Sequence, residues 1–580
     1  MSKNPPSSVL RVLIALLAVL CLLIVVHVAV VNTPIKTLLN LQNIVTGQPR
    51  VPNKSPKVQG FTKPEFGHMT SAFQNLFDQG LEVGAQLAVY HKGELVVDLW
   101  GGVARVNNKD YQFGRDEEPM TFKESLLLYL KPRELVNAKL QEWFAAFRYV
   151  KSFFVPPPAA PPTCDGDDGA DNQVCQKTST STGSVVGYIK WFFGGASLDD
   201  FGASLKRGYL PLTGDSLIPL FSCSKVAESA VISDLASAKK FSLDDKISKH
   251  WPNFGSKGKE DIKIEDLMRH QAGLVYPDSM LTIKKLSNPD LLYAQLAEEQ
   301  GVNWKFDVSN ADKQMYHPIT RGVYASGLVY NVMGVELGSY FRNEIALKHG
   351  LDMYLGIGPE DFEREKIVQT ETPVLPQFFK YILQYLLGGL VPFSSRSKIL
   401  MMGNTFDTLL DFEASIVLGF LRKTFQGKWY LNYSALFGIL NAVEDLDGIS
   451  SINKPVLLSL ENLPSANGLS NARSMSKLGD LLRTGAVGGE AGKKTDERHM
   501  DHGIGYEIAF TDGGYGHDRF YVDGLFGWKG WAGMAGGVLQ WNEELELAFA
   551  YNTVLPYGRV GKPRGIYLMK ELVNGLNKKP

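Results

Sequence analysis

Residues 217–240 read LIPLFSCSKVAESAVISDLASAKK. A short apolar run, LIPLF, ends where an alanine-rich stretch with helical spacing begins, and no linker separates the two. A chain built this way must set a strand or extended loop against the start of a helix, with Ser222 at the junction. There the free N–H groups of the first helical turn point outward and can help hold an oxyanion. Ser222-Cys223-Ser224-Lys225 is a Ser-x-x-Lys. On a helix, positions i and i+3 share a face, so Lys225 can stand over Ser222. A serine hydroxyl needs a base beside it to attack, and a lysine serves only where burial or a nearby cation lowers its pKa. The pattern alone is weak, because it begins six times, at Ser222, Ser237, Ser256, Ser395, Ser451 and Ser474. Only the Ser222 copy has the strand-to-helix context. Ser256 lies in the loop GSKGKE, Ser237 at the tail of the same helix, and Ser451 precedes Pro455.

With 580 residues the chain is too long for one ordinary core, which implies two to four domains or one large domain with insertions. Residues 12–31, VLIALLAVLCLLIVVHVAVV, carry one polar side chain, His27. At about 1.5 Å per residue, such a run spans a hydrocarbon core of about 30 Å. It is longer than the apolar stretch of a secretory signal, so it reads as a retained transmembrane anchor behind a short tail, 1–11. Lys3 and Arg11 precede it and Lys36 and Arg50 follow it, so positive charge does not orient it. The sequons at Asn53 and Asn432 fit a lumenal or extracellular main domain, with the mitochondrial inner membrane as the alternative. A net charge of -1 gives no overall basic field for nucleic acid.

Residues 32–60 read as a linker, and 61–577 as the main domain, interrupted by an insertion at about 110–210. The insertion ends in a stretch almost free of apolar residues, which holds Cys164 and Cys175. These two are either a small disulfide loop or free thiols. AQLAVYHKGELVVDLWGG (85–102) reads as a hairpin turning at His91–Glu94, and GVLQWNEELELAFAYNT (537–553) as two strands with a polar turn. Helical spacing is present at 264–274, ending at Gly273, and at 323–338. The apolar stretch 376–393, broken by Gly388-Gly389, reads as a buried or lid helix.

Taken in order, LIPLFSCSKVAESA, SLDDKISKHWPNFG and IKIEDLMRHQAGL resemble the class C-like group of serine beta-lactamase-related hydrolases, which includes penicillin-binding proteins, D-aminopeptidases and carboxylesterases. MYHPITRGVYASGLVYNVMG (315–334), LPSANGLSNARSMSKL (463–478) and FGWKGWAGMAGGVLQW (526–541) are similar to further blocks of its esterase-like branch. The resemblance covers about 60–110 and 211–575. It implies an α+β sandwich, an antiparallel sheet flanked by helices, with a mainly helical subdomain that carries Tyr316. It further implies that Ser222 is acylated, that Lys225 takes or relays its proton, and that Tyr316 assists as general base. The oxyanion hole would use the backbone N–H of Ser222 and that of Trp531. No cofactor is implied.

Two departures bear on the substrate. The family's Tyr-x-Asn reads Tyr316-His317-Pro318 here, which points away from lactam chemistry. Where relatives carry Lys or His before x-Gly, this chain has Trp528-Lys529-Gly530. Strand alternation is expected to turn Trp528 into the pocket and Lys529 away. A pocket edged by His317, Trp528, Lys529 and Gly530, without a cation for a substrate carboxylate, suits a neutral ester, amide or small peptide. The alternatives are a peptidase or true lactamase, and a catalytically impaired relative used for binding or assembly. His499-Met500-Asp501-His502 lacks metal-site spacing and reads as a loop, so no metal is expected. Gly513-Gly514-Tyr515-Gly516 has no phosphate-loop context.

Overall fold

The computed structural model describes residues 56–106, 209–303, 314–358, 366–371, 442–444, 452–501, 506–520, 524–533, 535–555 and 562–577. The apolar run 12–31, both sequons, Cys164, Cys175 and the stretch 376–393 lie outside these residues. Among the described residues, no helix is long and apolar enough to cross a membrane.

The architecture is α+β, as the sequence implies. One antiparallel sheet runs in the order β1 (Gln59–Thr62), β3 (Glu94–Val106), β2 (Gly84–His91), β14 (Leu547–Thr553), β13 (Val538–Asn542), β12 (Trp528–Ala532), β11 (Gly516–His517), β10 (Tyr506–Phe510), β9 (His499–Asp501). The hairpin expected at 85–102 is β2–β3, with Lys92 and Gly93 both at positive φ, 54° and 81°. A two-residue turn of that kind matches the right-handed twist of the flanking strands. β13 and β14 form the second expected hairpin. The chain leaves β3 after Val106 and returns in β4 (Tyr209–Pro211), which pairs beside Arg105.

Alternation along the strands gives the sheet two apolar faces. Leu547, Phe549 and Tyr551 of β14 join Leu87 and Val89 against α1 (His68–Asp78) and α5 (Lys562–Asn577). Ala548 and Ala550 lie on the other face, in the core that holds α2 (Ser224–Ser237), α3 (Thr320–Met333) and α4 (Ala472–Thr484). α4 starts at Asn471, whose side chain accepts the Ser474 N–H, and stops at Gly485 at φ 76°. α3 ends at Met333, where Gly334 takes φ 73°, five residues short of the expected end near 338. The helix expected over 264–274 is shorter still, Ile264–Met268, because His270 takes φ 64° and turns the chain.

A second, small sheet of β5 (Ile218–Pro219), β8 (Gly468–Ser470) and β6 (Met353–Leu355) lies beside α2. It brings the 463–470 segment to the start of that helix.

Candidate active site

LIPLF becomes β5 and a tight turn. Phe221 sits at φ 50°, a left-handed conformation uncommon for a bulky residue, and the chain then enters a single turn of 3-10 helix that continues into α2. This strained step sets Ser222 at the junction, half-buried. Ser224 fastens the turn: its hydroxyl donates to Phe221 O at 2.5 Å and accepts from Gly468 N at 2.9 Å. A side chain at Gly468 would place its Cβ 2.6 Å from that hydroxyl, so this strand can approach only as glycine.

Tyr316 Oη donates to Ser222 Oγ at 2.9 Å. The tyrosine comes from the loop leading into α3. Its backbone N–H donates to Asp501 Oδ1 at 3.0 Å, and Gln314 Nε2 donates to Asp501 Oδ2 at 3.1 Å. The HMDH segment, which carries no metal-like spacing, therefore serves to anchor Tyr316. Asp501 could not be found from sequence, because its partner lies 185 residues away.

Lys225 is buried, and its Nζ donates to Pro318 O at 2.6 Å and to Ser465 O at 3.0 Å. The amine lies 5.1 Å from the centroid of the Tyr316 ring. Burial pushes its pKa well below the ordinary lysine value; nearby Glu228 opposes the shift and Arg321 adds to it. A neutral amine has two N–H bonds and one lone pair. The two carbonyls account for the N–H bonds, and the lone pair remains to accept a proton. Burial pushes the Tyr316 phenol the other way, upward, opposed by the Ser222 hydrogen bond and the Arg519 charge. The ring keeps some exposure to the cleft, so water tempers this push. Burial thus favours the neutral amine of Lys225 and the neutral phenol of Tyr316, and of the two neutral groups the amine is the better proton acceptor.

Trp531 stacks on Tyr316, with ring centroids 5.6 Å apart and planes at 25°. The Arg519 guanidinium, itself buried, lies 4.2 Å from the Trp531 ring centre. Trp531 reaches the cleft through its indole rather than its amide. Gly533 N–H donates to Gly537 O across the hairpin, and antiparallel alternation directs the Trp531 N–H to the same neighbour, β13. Gly533 itself passes so close to the turn that a Cβ there would stand 2.5 Å from Leu220 O.

The expected pocket edge is corrected. Trp528 is 1% exposed and packs on the opposite face of the sheet, in the core of α1 and α5, together with Ala532. Lys529 instead shares the face of Trp531, and its ammonium pairs with Glu543 at 3.1 Å. Gly530 is a packing residue, since a Cβ there would meet Leu539 O at 2.2 Å. His317 is fully buried and does not edge the pocket. Its Nε2 accepts from Leu274 N at 3.0 Å, its Nδ1 contacts Met315 O, and burial lowers its pKa to about 3, so it stays neutral. It braces the loop that carries Tyr316. The error over Trp528 has one physical source: alternation fixes which residues share a face, but not which face meets the cleft.

The sequence matches the family model described as Beta-lactamase over residues 183–573. It is similar to the esterase/beta-lactamase LipL of Mycobacterium tuberculosis, 31% identical over 157 residues that make up 27% of this chain and 35% of that protein. The aligned region thus spans about a third of that relative. Among solved structures, the fold is similar to a penicillin-binding protein homologue from Caulobacter crescentus (TM-score 0.53, 17% identity, 89% of this chain and 99% of that one). It is also similar to a family VIII carboxylesterase (TM-score 0.52, 18% identity, 89% and 99% covered).

Proposed function

The chain belongs to the beta-lactamase family, and on that premise we propose that it is a serine hydrolase working by acyl transfer through Ser222 on a small neutral ester or amide. The observation that carries the reading is the 2.9 Å hydrogen bond between Tyr316 and Ser222. Ser222 Oγ bonds to the substrate carbonyl carbon. For attack the resting hydrogen bond reverses: the Ser222 proton passes to the Tyr316 oxygen as the Tyr316 proton turns to the Lys225 lone pair. The carbonyl π electrons go to the oxygen, held by the Ser222 N–H and by the strand amide that alternation turns away from β13, that of Ala532. Collapse expels the alcohol or amine, which takes the stored proton, and water repeats the cycle on the acyl-enzyme.

A neutral substrate fits because the charged groups near the cleft are engaged or enclosed. Lys529 is paired with Glu543, and Arg519 is 3% exposed beneath Trp531. The alternative of a binding protein without catalysis draws on the altered motif at Trp528-Lys529-Gly530 and on the insertion at about 110–210; of these, the Trp528 side chain packs on the opposite face of the sheet.

A fluorophosphonate probe tests the reading on the full-length protein and its Ser222→Ala variant. Labelling of the first alone is expected, with p-nitrophenyl acyl esters hydrolysed at least about tenfold faster than substrates bearing a free carboxylate. A folded protein that resists the probe would overturn it. We also propose that residues 12–31 hold the chain in a membrane, with the main domain lumenal or extracellular. The support is the length and apolarity of that run, and extraction of the full-length protein by alkaline carbonate would refute it.

A further inference from the structure

The proton path above leaves a buried ion pair unused. Glu228 lies one helical turn beyond Lys225 on α2, and Arg321 is the second residue of α3. Both side chains are 0% exposed, and Arg321 Nε donates to Glu228 Oε1 at 2.6 Å. Arg321 Nη1 donates to Met268 O at 3.2 Å and Gly514 O at 2.9 Å; its Nη2 donates to Lys225 O at 3.0 Å and Ser229 Oγ at 3.2 Å. The other Glu228 oxygen accepts from Ser465 Oγ at 2.6 Å, and Ser465 O is one of the two carbonyls that receive the Lys225 amine.

The pair therefore grips Lys225 at both ends. Arg321 holds its backbone carbonyl, and Glu228, through Ser465, holds the acceptor of its amine. Two glycines make room: a Cβ at Gly322 would stand 2.7 Å from Ser465 N, and one at Gly514 would stand 2.8 Å from Arg321 Nη1. A buried ion pair is poor evidence for stability, because apolar residues of the same shape are often as stable or more so. Its place beneath Lys225 calls for another role.

We propose that Glu228 and Arg321 are positioning residues, a charge-balanced clamp that fixes Lys225 so that its free lone pair faces the Ser222–Tyr316 hydrogen bond. The proposal rests on the reading of Ser222 as nucleophile. The other titratable groups around Lys225 are Cys223 on its own element, Tyr316 and His317 from the loop into α3, and His270 after Ile264–Met268. Burial favours the neutral form of each: it raises the Cys223 thiol to about 12 and lowers both imidazoles. The fixed charges are then Glu228, which favours the ammonium form of Lys225, and Arg321, which opposes it.

Opposite signs give the test. The rate of Ser222 labelling by a fluorophosphonate is measured against pH in the full-length protein. The acid limb should have a midpoint set by Lys225. Glu228→Gln should move that midpoint down and Arg321→Met should move it up, each by about one unit or more. The double variant should return it toward the parent. A midpoint is independent of how much protein has folded, so partial misfolding does not obscure it. Where neither single variant folds, Ser465→Ala, which removes only the hydroxyl link, should slow labelling at least about fivefold. Midpoints that stay put, shift in the same direction, or a Ser465→Ala rate equal to the parent's would overturn the clamp. If the parent itself shows no Ser222-dependent labelling, the functional reading fails instead.

Discussion

Two deeply buried glutamate–arginine pairs lie on opposite faces of the central sheet, and they differ in what they hold. On the α1/α5 face, Arg564 Nη1 donates to Glu82 Oε2 at 2.7 Å, and Thr553 Oγ1 donates to Glu82 Oε1 at 2.9 Å. The Tyr551 hydroxyl also donates to Glu82. Arg564 continues to Leu81 O and Leu555 O. These partners belong to β14, the residues just after it and the segment leading into β2, and none of them is a proton acceptor of the cleft. On the α2/α3 face, Arg321 also donates to its glutamate, Glu228, but this pair reaches Lys225 as well: Arg321 Nη2 donates to Lys225 O, and the other Glu228 oxygen accepts from Ser465, whose carbonyl receives the Lys225 amine. The chemistry is shared and the consequence is set by the neighbour: one pair closes the fold, the other supports a base.

The largest effects should break this comparison from the cleft side. Ser222→Ala should lower the labelling rate by more than about 10³-fold, while Glu82 variants that fold keep it. Lys225→Met and Tyr316→Phe should each cost about 10²- to 10⁴-fold, because each removes a station on the proton path. Circular dichroism melts would show whether those variants remain folded, and unfolding rather than inactivation would count against the path.

Arg564→Met should act in the reverse sense. It leaves the buried Glu82 carboxylate without its cation and should lower stability by about 3–5 kcal/mol in urea unfolding. The labelling rate per folded molecule should not change. Trp528→Ala belongs with it: removal of a fully buried indole should cost about 3–5 kcal/mol without altering labelling. If it abolished labelling in folded protein, Trp528 would belong to the cleft after all.

A subtler contrast lies in pH. Removal of the proton from the attacking Ser222 hydroxyl needs the neutral Lys225 amine, whose pKa is lowered by burial. Labelling should be full above that lowered value and fall as pH drops through it. A rate that first rises only near the ordinary lysine value would refute a neutral base. Lys529→Ala should do least. Its partly exposed pair with Glu543 is worth less than about 1 kcal/mol, and the rate should change by less than about twofold.

Much of the site was legible along the chain. The strand-to-helix junction singled out Ser222 from six copies of the same pattern, and the resemblance singled out Lys225 and Tyr316. Glu228 was not singled out, although it sits three residues past Lys225 on a helix whose side chains, Lys225 and Asp234 apart, are otherwise small or apolar. A charge without a solvated face needs a buried partner, but nothing local says which.

The sequence by itself determined what short-range geometry controls. It set the two hairpins, the tight turn into α2, and the residues of β12 that share a face. Tertiary structure decided what depends on partners far along the chain. Tyr316 meets Ser222 across 94 residues, Arg321 meets Glu228 across 93, and Ser465 receives the Lys225 amine across 240. It also decided that Trp528 faces the α1/α5 core. The reason is the same in each case. Backbone preferences act over a few residues, whereas burial and charge are settled by whichever groups the fold sets within a few ångströms.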